Sequence, residues 1–228
     1  MNERSAVIIA AAGLSTRLGQ DKLFLSLGGK PVLSWSVEIC QESSTISQIV
    51  IVLHRTRIEA GHKLARRRKW DKVTHICAGG ERRQDSVFAG LKCISNCDWV
   101  LIHDGARPFL TPNLITQGIQ AARDTGASAA AVPVKDTIKI SGRDNLVTST
   151  PERSSLWSVQ TPQVFRFDII QSAFNRTVTD VTDDASMVER AGYQVKLYIG
   201  SHENIKITTE EDLSLAKLIA KRRRVKCM

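Results

Sequence analysis

The residues that could bind a charged ligand lie directly after an apolar run near the start of the chain. Residues 6–12 lack polar alternation, which predicts a strand that is covered on both faces. Small residues end this run and leave room for a flat or phosphorylated ligand to approach the backbone: Ala10, Ala11, Ala12 and Gly13. Arg17 and Lys22 follow, and a loop rich in backbone N–H groups with two cations is suited to hold a polyphosphate.

This loop matches neither of the common nucleotide-binding motifs. Ser15 occupies the position of the second glycine in the dinucleotide fingerprint G-x-G-x-x-G. Lys22 is followed by Leu23, whereas a Walker loop requires Ser or Thr after its lysine. An ordinary strand-to-helix turn with a solvated arginine and lysine therefore stays open as an alternative.

A second group of candidate ligand-binding residues follows the strand predicted at 73–77. Gly79 and Gly80 would let a ligand lie against the backbone, and Ser86 lies at the predicted start of a helix. A hydroxyl at that position can cap the helix or contact a base. A Gly-Gly turn that leads into a capped helix explains the same pattern without a ligand.

The strand predicted at 99–103 is followed directly by an acidic candidate residue, Asp104. Asp104 at a strand end is suited to anchor a hard divalent cation, which usually takes one or two protein carboxylates. Gly105 follows, and Arg107 could bind a phosphate through its guanidinium fork. A structural Asp–Arg pair is the alternative. His103 lies inside the apolar run, so we expect a core histidine and not a catalytic base.

Apolar runs alternate with amphipathic ones along the chain, which predicts a mostly parallel sheet flanked by helices, an α/β fold. The predicted strands are 6–12, 49–53, 73–77, 99–103, 127–134 and 193–199. The predicted helices are 31–41, 57–68, 86–94, 112–124, 168–174, 182–191 and 210–222. Ligands bind beyond the carboxyl ends of such strands, so the candidate residues should gather at one edge of the sheet.

Two segments depart from this alternation. Residues 135–157 are polar and contain two short β-prone runs around a Ser-Gly-Arg-Asp-Asn turn, which predicts an inserted β-hairpin arm. An isolated two-stranded arm is marginally stable, so a second subunit is a good packing partner. Residues 204–208 alternate like an edge strand and carry Lys206, whose ammonium could face the site.

Composition bounds the class of protein. A chain of 228 residues with 42% hydrophobic and 24% charged residues fits one globular domain, and we assign residues 1–228 to it. No apolar run is long enough to span a bilayer, so we expect no membrane association. Five scattered cysteines favour reduced thiols in the cytoplasm.

The excess of positive charge raises the question of nucleic-acid binding. The net charge is +9, and much of it lies in two basic runs at 66–69 and 221–226. Aromatic residues do not interleave with these runs, so base stacking has little support. We therefore interpret them as a solvated helix face and a basic tail, and nucleic acid is not an expected partner.

Together the candidate residues are cations, hydroxyls, glycines and one carboxylate, which is a set suited to phosphoryl or nucleotidyl transfer. No Ser/His/Asp or Cys/His pairing supports a covalent intermediate. Seven motifs then appear in order: AAAGLSTRLGQDK, GGERRQDSVFAGL, VLIHDGARPF, PVKDTIK, LWSVQTPQVF, TDDASMVE and NIKITTEEDL. On these motifs the chain resembles the 2-C-methyl-D-erythritol 4-phosphate cytidylyltransferase family from about residue 6 to residue 218.

The resemblance implies a Rossmann-like nucleotidyltransferase fold and transfer of CMP from CTP to the phosphate of 2-C-methyl-D-erythritol 4-phosphate, in an EC 2.7.7-type reaction of non-mevalonate isoprenoid synthesis. It also implies Mg²⁺ or another divalent cation, and a homodimer whose β-arms interlock. Catalysis would fall to Arg17, Lys22 and Lys206, and Asp104 would bind the metal. The residues framing the nucleotide would be Ala11, Ala12, Gly13, Gly80 and Ser86. The residues around the alcohol phosphate would be Asp104, Gly105, Arg107, Thr137, Arg153, Thr161, Thr182 and Lys206.

Thr137 and Arg153 lie on the arm and are expected to serve the partner's site. The first loop departs from the family pattern at Ser15, Thr16, Asp21 and Leu23. Two rival functions remain at this point. One is a cytidylyltransferase for another polyol phosphate such as ribitol 5-phosphate, and the other is a basic nucleic-acid-binding protein.

Overall fold

The fold is described from a computed structural model that covers residues 3–13, 21–176 and 180–226. Within these residues a seven-stranded sheet forms the centre, in the order β11-β7-β10-β6-β1-β4-β5. Its strands are β1 (Ser5–Ala11), β4 (Ile46–Leu53), β5 (Val73–Ala78), β6 (Trp99–Asp104), β7 (Ala127–Pro133), β10 (Trp157–Arg166) and β11 (Lys196–Ile199). Two small hairpins pair β2 (Ser26–Leu27) with β3 (Lys30–Pro31), and β8 (Ile140–Ser141) with β9 (Val147–Ser149).

Helices cover both faces of the sheet. They are α1 (Val32–Glu42), α2 (Ile58–Arg68), α3 (Arg83–Leu91), α4 (Pro112–Thr125), α5 (Phe167–Arg176), α6 (Asp184–Arg190) and α7 (Glu210–Lys226). The ends of α4 follow local chemistry. The Thr111 hydroxyl accepts a hydrogen bond from the Leu114 N–H, Pro112 occupies the first turn, and Gly126 ends the helix at a φ of 81°. Elements with such explicit start and stop signals are the ones that the sequence predicts best.

The central strands are buried because both of their faces meet helices. Every residue of β6 is buried, as are six of the seven residues of β1. Alternate side chains of β1 enter different clusters: Val7 and Ile9 pack on the α1 and α4 side, whereas Ala6 and Ile8 pack on the α3 and α5 side. This two-sided burial explains the continuous apolar runs and fixes the strand ends that form the functional edge.

The mostly parallel α/β sheet predicted from the sequence is confirmed, with one strand that the prediction missed. β10 runs antiparallel between β6 and β7. Its sequence mixes Ser158, Gln160 and Gln163 with apolar residues, and Pro162 interrupts its donors, so local patterning gives little strand signal.

The edge strand predicted at 204–208 is wrong, because these residues form no strand. They run as an irregular strap across the end of β6. The Ile207 N–H donates to the Ala106 carbonyl at 2.9 Å, and the Asn204 side chain donates to the Thr161 carbonyl at 2.7 Å. Hydrogen bonds to the loop after β6 and to Thr161 of β10 therefore replace a strand ladder in this segment.

The inserted hairpin predicted at 135–157 is present as β8 and β9, although its strands are shorter than the β-prone runs. Large apolar side chains of this arm face outward, with Leu146 71% exposed and Val147 59% exposed. Among the described residues, no helix is both long and apolar enough to cross a bilayer.

Candidate active site

A cleft opens where β1, β5 and β6 end, at the sheet edge predicted from the sequence. Its cavity volume is about 250 Å³. Eight of the predicted site residues line it: Ala11, Ala12, Gly13, Lys22, Gly80, Ser86, Asp104 and Lys206. Arg17 lies outside the described residues. The cleft is further lined by cationic Arg82 and Arg83, which come from the start of α3. One cavity therefore unites small residues, several cations and a carboxylate.

The alanines on the floor of the cleft lie against two glycines that cannot be larger. A Cβ added at Gly79 would lie 2.3 Å from the Cβ of Ala12, and one added at Gly105 would lie 2.9 Å from the Cβ of Ala11. Real Cβ atoms do not approach one another so closely. The strand ends can touch only because both positions are glycine, and the resulting flat backbone surface is suited to a planar base.

Asp104 is the centre of a cluster of charges. Its Oδ2 lies 2.9 Å from the Lys206 Nζ and 3.6 Å from the Arg107 Nε, and its Oδ1 accepts a hydrogen bond from the Arg83 Nε at 3.2 Å. The carboxylate side chain is only 9% exposed, whereas Lys206 is 39% exposed. Burial alone would raise the pKa of Asp104, but the charges of Arg83, Lys206 and Arg107 hold it well below its usual range. Asp104 is therefore ionised at neutral pH.

A second buried carboxylate stabilises Arg83 from the opposite side. The Arg83 Nη1 donates to Asp184 Oδ2 at 2.7 Å, and the Asp184 side chain is 1% exposed. Burial raises the pKa of Asp184 despite this ion pair. Gln163 on β10 fixes the same corner, because its Oε1 accepts from the Ala185 N–H and its Nε2 donates to Asp183. The first turn of α6 is thereby joined to the cleft through one arginine.

Arg83 and Asp184 are residues of this cluster that the sequence patterns do not predict. They lie in two of the motifs quoted above, yet 101 positions separate them. Arg82, the neighbour of Arg83, instead pairs with Asp85 and Asp180 at the surface. Only the doubled arginine before a helix could have drawn attention to this position, and it does not reveal which arginine turns inward.

The strap at 204–208 delivers Lys206 to the cleft. The Arg107 Nη1 donates to the Asn204 carbonyl at 2.7 Å, and the Ile207 N–H bond to Ala106 fixes the other side of Lys206. Asp212, in the first turn of α7, accepts from the N–H and the hydroxyl of Thr208 at 2.8 and 2.6 Å. The lysine is thus held between two anchored segments, which explains how an irregular stretch can place it reproducibly.

His103 is confirmed as a core residue and not a cleft residue. Its side chain is fully buried, and burial lowers its pKa to about 4, so the ring is neutral. Its two nitrogens lie 3.0 Å from the Arg107 carbonyl and 3.1 Å from the Thr161 hydroxyl. Thr161 is itself buried and lies behind Asp104, whose backbone N–H donates to the Thr161 Oγ1 at 3.1 Å.

Six predicted substrate residues do not line the cavity within the described part of the chain. Gly105, Arg107 and Thr161 adjoin Asp104, whereas the other three lie on the arm or beside α6. Thr137 and Arg153 are exposed on the arm, where Arg153 donates to the Lys135 carbonyl. Thr182 is exposed beside the start of α6, near Ser186. None of the three lines the cavity formed by the described residues.

Ser86 lines the cleft, but its position in the helix differs from the prediction. Because α3 begins at Arg83, Ser86 lies one turn inside the helix and not at its start. Its hydroxyl donates to the Arg82 carbonyl at 3.2 Å and does not cap a backbone N–H. A hydroxyl oxygen that donates one hydrogen bond can still accept another, so Ser86 could accept one from a ligand in the cleft.

The family model described as "IspD: 2-C-methyl-D-erythritol 4-phosphate cytidylyltransferase" matches residues 5–222. The chain belongs to this family. A family member from Dehalococcoides mccartyi, named 2-C-methyl-D-erythritol 4-phosphate cytidylyltransferase, is 47% identical over 225 residues, covering 98% of this chain and 99% of its own length. A member of the same name from Alkaliphilus oremlandii is 44% identical, with 97% of each chain covered.

Solved structures of the family show the same architecture. The 4-diphosphocytidyl-2C-methyl-D-erythritol synthase from Anaerococcus prevotii is 30% identical and superposes with a TM-score of 0.85, covering 96% of this chain and 99% of that one. The 2-C-methyl-D-erythritol 4-phosphate cytidylyltransferase from Thermus thermophilus is 29% identical with a TM-score of 0.77 and the same coverage. The Rossmann-like nucleotidyltransferase fold predicted from the resemblance is thereby confirmed.

Proposed function

We propose that this chain transfers CMP from CTP to the phosphate of 2-C-methyl-D-erythritol 4-phosphate, releasing pyrophosphate. The observation that carries the proposal is the cleft at the ends of β1, β5 and β6, where a flat glycine and alanine floor adjoins a group of cations around Asp104. Membership of the cytidylyltransferase family identifies the nucleotide and the alcohol. The same names disfavour ribitol 5-phosphate as the acceptor.

The charges of the cleft suit displacement at phosphorus. A phosphate oxygen of the alcohol substrate would attack the α-phosphorus of CTP while pyrophosphate leaves. Lys22 and Lys206 line the cleft and would neutralise the negative charge that builds up on the phosphoryl oxygens. The attacking phosphate is already ionised near neutral pH, so the chain needs no general base. This agrees with His103, the nearest histidine to the cluster, being buried and neutral.

A divalent cation fits this site only together with the nucleotide. Both oxygens of Asp104 already contact cationic side chains, and no group of three or more acidic, histidine or cysteine ligands occurs among the described residues. Mg²⁺ usually combines one or two carboxylates with phosphates and water. Asp104 would therefore hold the ion as its one protein carboxylate, and the ion when bound would supply further neutralisation of phosphate charge.

The residues that would bind the alcohol phosphate lie beside Asp104 and on the arm. Arg107 is 13% exposed and lies beside Asp104, where it would bind the alcohol phosphate with Lys206. Gly105, Thr161 and Thr182 would border the same half of the site. Thr137 and Arg153 would reach the site of a partner subunit, because they lie on the arm outside the cleft of their own chain.

We propose a homodimer formed through the arm and a cytoplasmic location. The outward-facing apolar side chains of the arm support the dimer, since water-exposed leucine and valine favour burial against another surface. The unpaired thiols of Cys40, Cys77, Cys93 and Cys97 support a reducing compartment.

The test is turnover of purified protein with CTP, Mg²⁺ and each alcohol phosphate. We expect pyrophosphate release with 2-C-methyl-D-erythritol 4-phosphate and not with ribitol 5-phosphate. Lys22→Ala should lower kcat by about 100-fold or more, because one charge contact to the transition state is lost. Lys63→Ala is the matched control, since Lys63 is exposed on α2 and pairs with Glu59 there. Equal turnover of the Lys22 and Lys63 variants would refute the assignment.

A further inference from the structure

Beneath the cleft, four residues form a closed circuit of hydrogen bonds, and the mechanism gives two of them, His103 and Asn204, no contact with substrate. His103 bonds to the Arg107 carbonyl, the Arg107 Nη1 donates to the Asn204 carbonyl, and the Asn204 Nδ2 donates to the Thr161 carbonyl. The Thr161 hydroxyl and His103 Nδ1 close the circuit at 3.1 Å. Residues from β6, from the strap at 204–208 and from β10 are joined in this way.

The chemistry of the acceptors fixes the direction of each bond. A carbonyl oxygen can only accept, so His103 Nε2 carries the proton that faces Arg107. In a neutral ring Nδ1 is then the acceptor, and the Thr161 hydroxyl must donate to it. The Thr161 oxygen in turn accepts from the Asp104 N–H at 3.1 Å. Each of these hydrogen bonds therefore has one possible direction from donor to acceptor.

The imidazole of His103 therefore holds both ends of one tight turn, one directly and one through Thr161. The turn runs from Asp104 to Arg107, and the Arg107 N–H donates to the Asp104 carbonyl at 2.9 Å. His103 holds the far end directly through the Arg107 carbonyl and the near end through the Thr161 hydroxyl. The ring is fully buried and both of its nitrogens are hydrogen-bonded, so its orientation is fixed. It thereby constrains Asp104 and Arg107, the two charged residues at the ends of the turn.

We propose that His103 is a positioning residue for the acceptor half of the reaction. It sets the backbone from which the Arg107 side chain reaches the alcohol phosphate, and Asn204 sets the guanidinium from the other side. This inference rests on the proposed function. It assigns no contact between His103 and substrate, because the side chain does not line the cleft.

His103→Leu removes both hydrogen bonds and keeps an apolar side chain in the core. We expect the KM for 2-C-methyl-D-erythritol 4-phosphate to rise about tenfold, while the KM for CTP changes by less than about threefold, because the residues assigned to the base lie at the ends of β1 and β5 and in α3. His103→Gln keeps a donor for Arg107 and an acceptor for Thr161, so it should recover most of the loss.

Leu101→Ala is the matched control, because Leu101 is a buried neighbour on the same strand and makes no bond to the turn. It should lower the melting temperature without changing the KM for the alcohol phosphate. If the Leu101 and His103 variants raise this KM equally, or if His103→Leu leaves it unchanged, the proposal is wrong. Wild-type turnover in the same assay is required first, and its absence would instead reject the proposed function.

Asn204→Ala carries the test if His103→Leu does not fold. It removes the hydrogen bond that the Asn204 side chain donates to the Thr161 carbonyl. Because Asn204 lies in the strap and not in a strand, the core of the sheet stays intact. The same selective rise in the KM for the alcohol phosphate is expected. An unchanged KM in a folded Asn204 variant would overturn the proposed circuit.

Discussion

Asp104→Asn is the substitution that tests the charge cluster most directly. The change keeps the shape of the side chain but removes the carboxylate that contacts Arg83, Lys206 and Arg107 together. In the free protein these three cations would then lie close together without the carboxylate that neutralises them. We expect a loss of stability as well as a loss of activity.

The size of the stability loss follows from burial. Removing one partner of a buried ion pair typically costs about 3–5 kcal/mol. Arg83 keeps its bond to Asp184, and Lys206 is 39% exposed and can be hydrated, so the lower figure of about 3 kcal/mol is expected. For a chain of this size, that corresponds to a fall in the melting temperature of about 6–12 °C.

Thermal unfolding by circular dichroism at one protein concentration measures this shift. Asp168→Asn is the matched control, because Asp168 pairs with Arg166 at an exposed site and should cost less than about 1 kcal/mol. Added pyrophosphate should raise the melting temperature of the Asp104 variant more than that of the wild type, since the variant has lost its own anion. A melting temperature within about 2 °C of wild type would refute the argument that Asp104 neutralises the cluster.

Three further outcomes are expected. Gly79→Ala should cost about 1–3 kcal/mol and weaken CTP binding, because its Cβ would lie 2.3 Å from a neighbouring side chain; Gly142→Ala, where the space is open, is the control, and equal effects in calorimetry would contradict this. Burial raises the pKa of Cys40 to about 12, so mass spectrometry should find it protected from iodoacetamide at about pH 8 until the chain is denatured. Leu146→Asp on the arm should give monomers in sedimentation, whereas Leu218→Asp, an equally apolar exposed position on α7, should not; an unchanged mass for the Leu146 variant would count against the dimer.

The sequence predicted the part of the site that depends on single strands. β1 and β6 are continuous apolar runs, so their ends could be located, and the small and charged residues that follow them necessarily meet at one edge of the sheet. Asp104 and Lys22 were placed correctly in the cleft for this reason.

The rest of the fold and of the site depends on contacts between residues that are distant in sequence, and a local sequence pattern does not reveal such contacts. Asp184 contacts Arg83 only after β10 and α6 have packed, and neither residue differs in type from an ordinary surface pair. β10 itself was missed because polar residues and Pro162 hide its periodicity. Family membership identifies the reaction, but it does not reveal the contacts that hold the candidate residues in place.

The pairing of β10 with β7 has a consequence for how the arm can change. Val159 pairs with Ala131 and Gln163 pairs with Ala129, so the segment between them is longer on β10 than on β7. This bulge separates the half of β10 that leaves the arm from the half that is locked between two strands. The bulge carries Thr161, which accepts hydrogen bonds from the Asp104 N–H and from the Asn204 side chain. A displacement of the arm would therefore reach the cleft through this one residue, while the register of the locked half is kept.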